Sequence, residues 1–153
     1  MLPTDTTQRP LPFRLTEADL PDVILRFRVS STKLFSGYDE ILIRGNGQIG
    51  LRTALKRDSE PTMRVGSVDP KLIARLLQYL SSEGLEEWDE SYPSEEREYV
   101  GKLLTLTVRD QTLKQVSMCQ PEFSGFSRAC GAIKLVAAMG APEAINGEFF
   151  QRI

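Results

Sequence analysis

Gly45-Asn46-Gly47-Gln48-Ile49-Gly50 is the stretch on which the fold class turns. Its Gly-x-Gly-x-x-Gly spacing matches a dinucleotide-binding loop, which would make the chain a doubly wound α/β protein. That chemistry needs a helix opening inside the motif, because the pyrophosphate is held by the unpaired N–H groups of the helix's first turn. The residues that follow alternate instead. Ile49, Leu51, Thr53 and Leu55 fall to one side, Arg52 and Lys56 to the other, which is the two-residue period of a half-buried strand. The motif therefore reads as a hairpin, with Asn46-Gly47 in the two positive-φ positions of a type I′ turn. Its first strand is Tyr38 to Arg44, where Ile41 and Ile43 oppose Glu40 and Arg44.

The same period extends upstream, with Leu25, Phe27 and Val29 against Arg26 and Arg28 in a strand opening at Val23. Downstream, Met63 to Val68 reads as a short edge strand leading into Asp69-Pro70, a helix start in which Asp69 accepts from free N–H groups and Pro70 lacks an N–H that would go unused. Leu72, Ile73, Leu76, Leu77 and Leu80 form one apolar stripe, and Gly84 is placed to close the helix. A connector from Glu83 to Glu98 follows, acidic except for Arg97, and interrupted by Leu85, Trp88 and Tyr92, whose bulk favours burial. Leu104, Leu106 and Val108 then alternate with Thr105, Thr107 and Arg109. A tight turn is predicted near Asp110-Gln111, then a strand from about Thr112 to Met118. Pro121 opens a second helix, with Phe126, Ala129, Ile133 and Val136 on one face, and Gly140 and Pro142 end it. The predicted architecture is α+β, an antiparallel sheet of about five strands (two hairpins plus an added strand) with two helices packed on one face. The domain spans 23–140, after an extended Pro-rich arm over 1–22 and before a tail over 141–153.

Composition excludes more chemistry than it suggests. A chain of 153 residues, 41% of them hydrophobic, buries enough surface to need no disulfide or metal. It contains no histidine, so Ser-His and Cys-His catalysis are ruled out. Cys119 and Cys130 make no CxxC pair and cannot alone build a zinc or iron–sulfur site. No cofactor is expected. Pro3, Pro10, Pro12 and Pro21 break the first residues, and without an apolar run these read as neither signal peptide nor membrane anchor, which makes a reducing cytoplasm the expected compartment. A net charge of −2 offers no global pull toward nucleic acid or anionic lipid, so a charged partner would need a local patch.

Such a patch follows from the alternation. Arg26, Arg28, Arg44, Arg52, Lys56 and Arg109 share the sheet face opposite the helices, with Glu40, Thr105 and Thr107 among them. Arg28, Arg44, Arg52 and Arg109, with Trp88, are the expected binding residues. The face lacks the outward aromatic rings on which nucleic-acid-binding sheets stack bases, so a protein surface ranks ahead of nucleic acid. The competing reading places carboxylate chemistry in 86–98; it requires a deep pocket holding two or more of Glu86, Glu87, Asp89, Glu90, Glu95 and Glu96 beside Trp88. Cys130 is expected to be buried in the second helix, whose small residues favour close packing on the sheet or a self-association face.

The pattern resembles a family of small uncharacterised bacterial α+β domains, a domain of unknown function, over about Val23 to Gly140. The turn Gly45-Asn46-Gly47, the Val68-Asp69-Pro70 helix start and the Trp88 to Tyr92 stretch carry the likeness. In that family Cys-Phe-Gly-x-Cys-Pro-x-Tyr joins the first two strands; here Lys33-Leu34-Phe35-Ser36-Gly37-Tyr38 stands there without cysteines. The resemblance implies no activity, cofactor or catalytic residue. The function expected is a noncatalytic interaction module in the cytoplasm, binding another protein or a second copy of itself and not a membrane. The alternative is a small-molecule enzyme or ligand-binding protein using the 86–98 carboxylates.

Overall fold

Long alternating segments pair into a sheet in this computed structural model, which describes residues 10–31, 36–56, 60–94, 100–119 and 122–141. In chain order the elements are β1 (Val23–Ser31), β2 (Ser36–Arg44), β3 (Gln48–Lys56), β4 (Thr62–Ser67), α1 (Pro70–Ser82), β5 (Ser91–Tyr92), β6 (Val100–Val108), β7 (Gln111–Cys119) and α2 (Ser124–Gly140). The class is α+β with two helices. The sheet has seven strands, more than the five or so expected, in the order β4-β3-β2-β1-β6-β7-β5. The edge strand expected at Met63 to Val68 is β4, laddered along β3 from Thr62 to Ser67. The strand not expected is β5, two residues long, lying parallel to β7 and fixed by the Ser117 N–H donating to the Glu90 carbonyl at 2.8 Å. All other strand neighbours are antiparallel.

Strand alternation puts one residue in two on the helix side. Val23, Leu25, Phe27 and Val29 of β1, Ile41 and Ile43 of β2, and Leu104 and Leu106 of β6 are buried there. Ile73, Leu76, Leu77 and Leu80 of α1 meet them, joined by Phe126, Ala129, Ile133 and Val136 of α2, in one core cluster. Asp69 Oδ1 accepts the Lys71 N–H at 2.9 Å, and Pro70 occupies the first turn of α1. Gly84 takes a φ of 100° just beyond that helix. The small residues Ala129, Ala132 and Ala137 face the core. Pro121 and Pro142, assigned to the ends of α2 from the sequence, lie outside the described residues.

Both hairpin turns differ from the sequence reading. Gly45 and Asn46 keep negative φ, only Gly47 is positive at 99°, and the Gly47 N–H donates to the Arg44 carbonyl at 2.9 Å. This is a type I turn closed by a glycine bulge, not type I′. Asn46 stabilises the turn through its side chain, whose Oδ1 accepts the Gln48 N–H at 3.0 Å. Close approach explains the glycines, since a Cβ on Gly45 would fall 1.6 Å from the Leu20 carbonyl oxygen and one on Gly47 2.3 Å from that of Val68. The positive-φ pair turns up instead between β6 and β7, at Arg109 (47°) and Asp110 (67°), one residue earlier than expected.

The described part of the Pro-rich arm folds over the helix side. It makes two short 3-10 turns, Pro12–Arg14 and Leu20–Asp22, with Pro12 buried and Leu11, Phe13, Leu15 and Leu20 packed against the core.

Leu76 is fully buried at the centre of the α1 stripe. Leu76→Asp is expected to abolish cooperative unfolding, because an unpaired buried charge costs several kcal/mol. Leu76→Ala should cost about 2–5 kcal/mol. Urea unfolding followed by circular dichroism checks both.

Candidate interaction face

The sheet face turned away from the helices has no layer over it among the described residues, and strand register arranges its charges in rows. Arg28 of β1, Glu40 of β2 and Arg52 of β3 lie side by side. Glu40 is on this open face yet only 4% exposed. Guanidinium groups cover it: Arg28 Nε sits 2.9 Å and Arg26 Nε 3.8 Å from its Oε2. The face expected to lack aromatic rings carries Tyr38, in phase with Glu40, and the Arg28 guanidinium lies over that ring at 4.1 Å from its centroid, a cation–π contact that adds to its fixation. One carboxylate thus holds two arginines flat. Arg44, exposed, and Arg52, half-buried, form no ion pair with another described residue. Lys56 ends β3, and its side chain lies outside the described set.

Two of the expected binding residues sit elsewhere. Arg109 leaves the face because β6 ends at Val108 and the turn breaks the alternation. Its guanidinium spans Asp19 at 2.9 Å and Asp22 at 3.0 Å, tying the N-terminal segment to the β6–β7 turn. The Asp19 carboxyl is held below its ordinary range, first by the Thr16 N–H and then by Arg109. Trp88 is 8% exposed. It packs against Phe123 and Phe126 with ring centroids at 5.5 and 5.7 Å, and its Nε1–H donates to the Glu83 carbonyl.

The acidic connector is pinned by its backbone and by Glu83, whose carboxylate pairs with Arg128 at 2.8 Å. Lys114 Nζ donates to the carbonyls of Glu86 and Trp88, and the Tyr92 hydroxyl accepts the Asp89 N–H at 2.8 Å. Glu86, Glu87, Asp89 and Glu90 are exposed. The described connector residues join β5, five strand positions from β3 or about 24 Å at the usual strand spacing, so they do not neutralise the arginines. Glu95 and Glu96 fall outside the described residues. A groove of about 770 Å³ opens elsewhere, along α1, lined by Glu17, Val68, Asp69, Leu72, Arg75 and Met139 among others and by none of the connector carboxylates.

Sequence reading missed the polar groups on the helix side. Lys102 of β6 is 6% exposed and bonds Glu122 at 2.9 Å, while the Ser127 hydroxyl donates to the same carboxylate at 2.7 Å. Asp39 of β2 is also buried, and the Thr53 hydroxyl donates to it. The signal was present: continuing the inward series Val108, Leu106, Leu104 by one more step lands on Lys102. Burial pushes the Cys130 thiol of α2 up to about 12, against an opposing pull from Lys102. Burial also pushes the Lys134 ammonium down. Cys119 and Cys130 are both free and buried. This cluster braces α2 and presents no activated nucleophile.

No protein-family model matches the chain, and no curated protein matches it in sequence. Among the described residues no helix is long and apolar enough to cross a membrane, and no group of three or more His, Cys, Asp or Glu could hold a metal ion.

Glu40→Gln keeps the shape but removes the charge that two arginines share; it should cost about 1–3 kcal/mol, the range for breaking a charge-assisted bond, read by urea unfolding. Cys130 supplies a pH test. The folded state keeps a thiol proton that the unfolded chain loses near pH 9. Its contribution is therefore intact below about pH 9 and declines by ~1.4 kcal/mol per pH unit up to about 12. Cys130→Ala should remove that decline, so the stability gap between wild type and variant changes with pH only on the alkaline side.

Proposed function

We propose that this protein is a noncatalytic protein-interaction module whose arginine-bearing sheet face receives an acidic partner protein. The observation that carries this reading is the placement of both helices on one side of the sheet, which leaves the other side to a row of guanidinium groups with a single carboxylate among them. Fixation by Glu40 and Tyr38 supports it, since arginines already held in place lose less rotamer freedom on binding than mobile ones. A reducing, cytoplasmic setting belongs to the same reading and is supported by two free cysteines. Carboxylate chemistry at 86–98 draws no such support, because the described carboxylates are exposed and apart from the groove.

The test uses Arg44 and Arg52, which take no part in holding Glu40. Arg44→Gln with Arg52→Gln should shift stability by no more than about 0.5 kcal/mol per surface site, glutamine being chosen because a carboxylate at 52 would face Glu40 across the strand pair. It should also sharply reduce recovery of an acidic binding protein from an extract of the native host. Wild-type recovery should fall as salt rises, since exposed charge contacts are screened within about 10 Å at 0.1 M. Undiminished recovery by a variant of unchanged melting temperature overturns the reading.

A further inference from the structure

The two edges of the sheet are unlike. One ends in β5, two residues long and paired to β7 only at Ser117 and Met118; the other ends in β4, six residues long and paired to β3 over its whole length. Val65 on β4 is 80% exposed, the most of any large apolar side chain among the described residues, and Met63 two positions away is 58% exposed. Both point to the open face, opposite Gly50 and Arg52 of β3.

The direction of the β4 backbone groups follows from one bond. The Val68 N–H donates to the Gly47 carbonyl at 2.9 Å, continuing the ladder in which Ser67 faces Gln48 and Gly66 faces Ile49. In an antiparallel ladder, residues whose groups point to the neighbour alternate with residues whose groups point away. Thr62, Arg64 and Gly66 therefore bond to β3, while Met63, Val65 and Ser67 turn their N–H and C=O groups to an edge that no described strand covers. Natural sheets usually blunt such an edge. Here the backbone groups that face outward belong to residues with apolar side chains on the face already described.

We infer that β4 takes up an extended acidic segment of a partner protein as an eighth strand, its main chain paired with Met63 and Val65. The inference rests on the reading of the open face as an interaction surface and adds to it how the partner is held. Main-chain bonds supply affinity in this mode and alternating side chains supply specificity. Charge selects the partner's chemistry: β4 carries no carboxylate, and its Arg64, opposite Leu51, lies on the face away from Val65 and Met63, where the alternate side chains of an added strand would fall. An incoming strand of alternating apolar and acidic residues sets its apolar side chains beside Val65 and Met63 and its carboxylates beside Arg64. A second copy of this chain pairing antiparallel through β4, with Met63 opposite Val65, would instead bring Arg64 up against its own counterpart, and like charges at directly opposite strand positions oppose pairing.

The probe is a fluorescein-labelled, end-capped peptide of about ten residues alternating valine and glutamate, long enough for an ordinary strand, read by fluorescence anisotropy. Wild type should bind it, more weakly as salt rises, and should not bind the valine–lysine counterpart. Hydrogen exchange at the Met63 and Val65 amides should slow when it binds. Val65→Pro removes an outward N–H while leaving the bonds to β3 intact, a position where an edge strand tolerates proline. It should weaken binding at least about tenfold, the equivalent of one main-chain bond, with an unchanged melting temperature. Val65→Asp keeps the N–H, adds a like charge against the glutamates and should weaken binding too. Failure of wild type to bind at millimolar peptide overturns the inference, as does wild-type affinity in both Val65 variants. If those variants bind normally while Arg44→Gln/Arg52→Gln does not, the face reading stands and the added strand falls. A dimer in sedimentation that Val65→Pro dissociates assigns the edge to a second copy and likewise overturns it.

Discussion

Pairing of β1 with β6 makes one sheet out of two. On one side of it lie β4, β3, β2 and β1, a meander in which each strand neighbours the next in sequence; on the other lie β6, β7 and β5. The two groups meet along a register running from Val23 opposite Val108 to Ser31 opposite Val100. Core order depends on that seam. Phe27 and Leu104 face each other across it, as do Leu25 and Leu106, at the centre of the surface that both helices cover. A one-residue slip would turn every inward side chain of β1 to solvent, so the apolar alternation fixes the register as firmly as the hydrogen bonds do.

The same register governs the uncovered side. Placing Glu40 between Arg28 and Arg52 is a property of strand pairing and cannot be read from any one segment. A carboxylate so nearly covered would be costly without charged neighbours, and it has two within ion-pair distance. The arginines in turn cover that carboxylate while keeping a third to a half of their own side-chain surface in water. The helix side holds a second charged pair, Lys102 with Glu122, under α2. One pair shapes a surface, and the other secures the element that roofs the core.

Segments with strict alternation or a sustained helical stripe were legible in the sequence: β1 to β3, β6 and α1 rest on inward residues that the pattern alone identifies. Two kinds of feature were not. Turn geometry escaped because it depends on contacts from distant parts of the chain; Gly45 is glycine for the sake of Leu20, and Arg109 adopts a positive φ where Asp19 and Asp22 hold its side chain. β5 escaped because two residues carry no periodicity and its pairing is set by β7. For the face, Arg28, Arg44 and Arg52 were found by phase alone. Arg109 was misplaced because the phase was carried one residue past the strand's end. Trp88 lies in the core because Phe123 and Phe126 of distant sequence close around it.

The order of strands along the chain also has a consequence in time. A nascent chain emerges N-terminus first, and β1 leaves the ribosome 77 residues before the end of β6, from Ser31 to Val108. At about 5–20 residues per second, translation of that stretch takes about 4–15 s. During it the central strand of the finished sheet is an edge, with Val23, Leu25, Phe27 and Val29 awaiting cover from strands and helices not yet made. The interval is long against hairpin formation, which takes about 1–10 μs, so β1 to β4 have ample time to pair before the strand that completes the seam is made. Chaperone demand should therefore fall on the first half of the chain, and substitutions that slow or weaken β6 should appear as lost yield before they appear as lost stability.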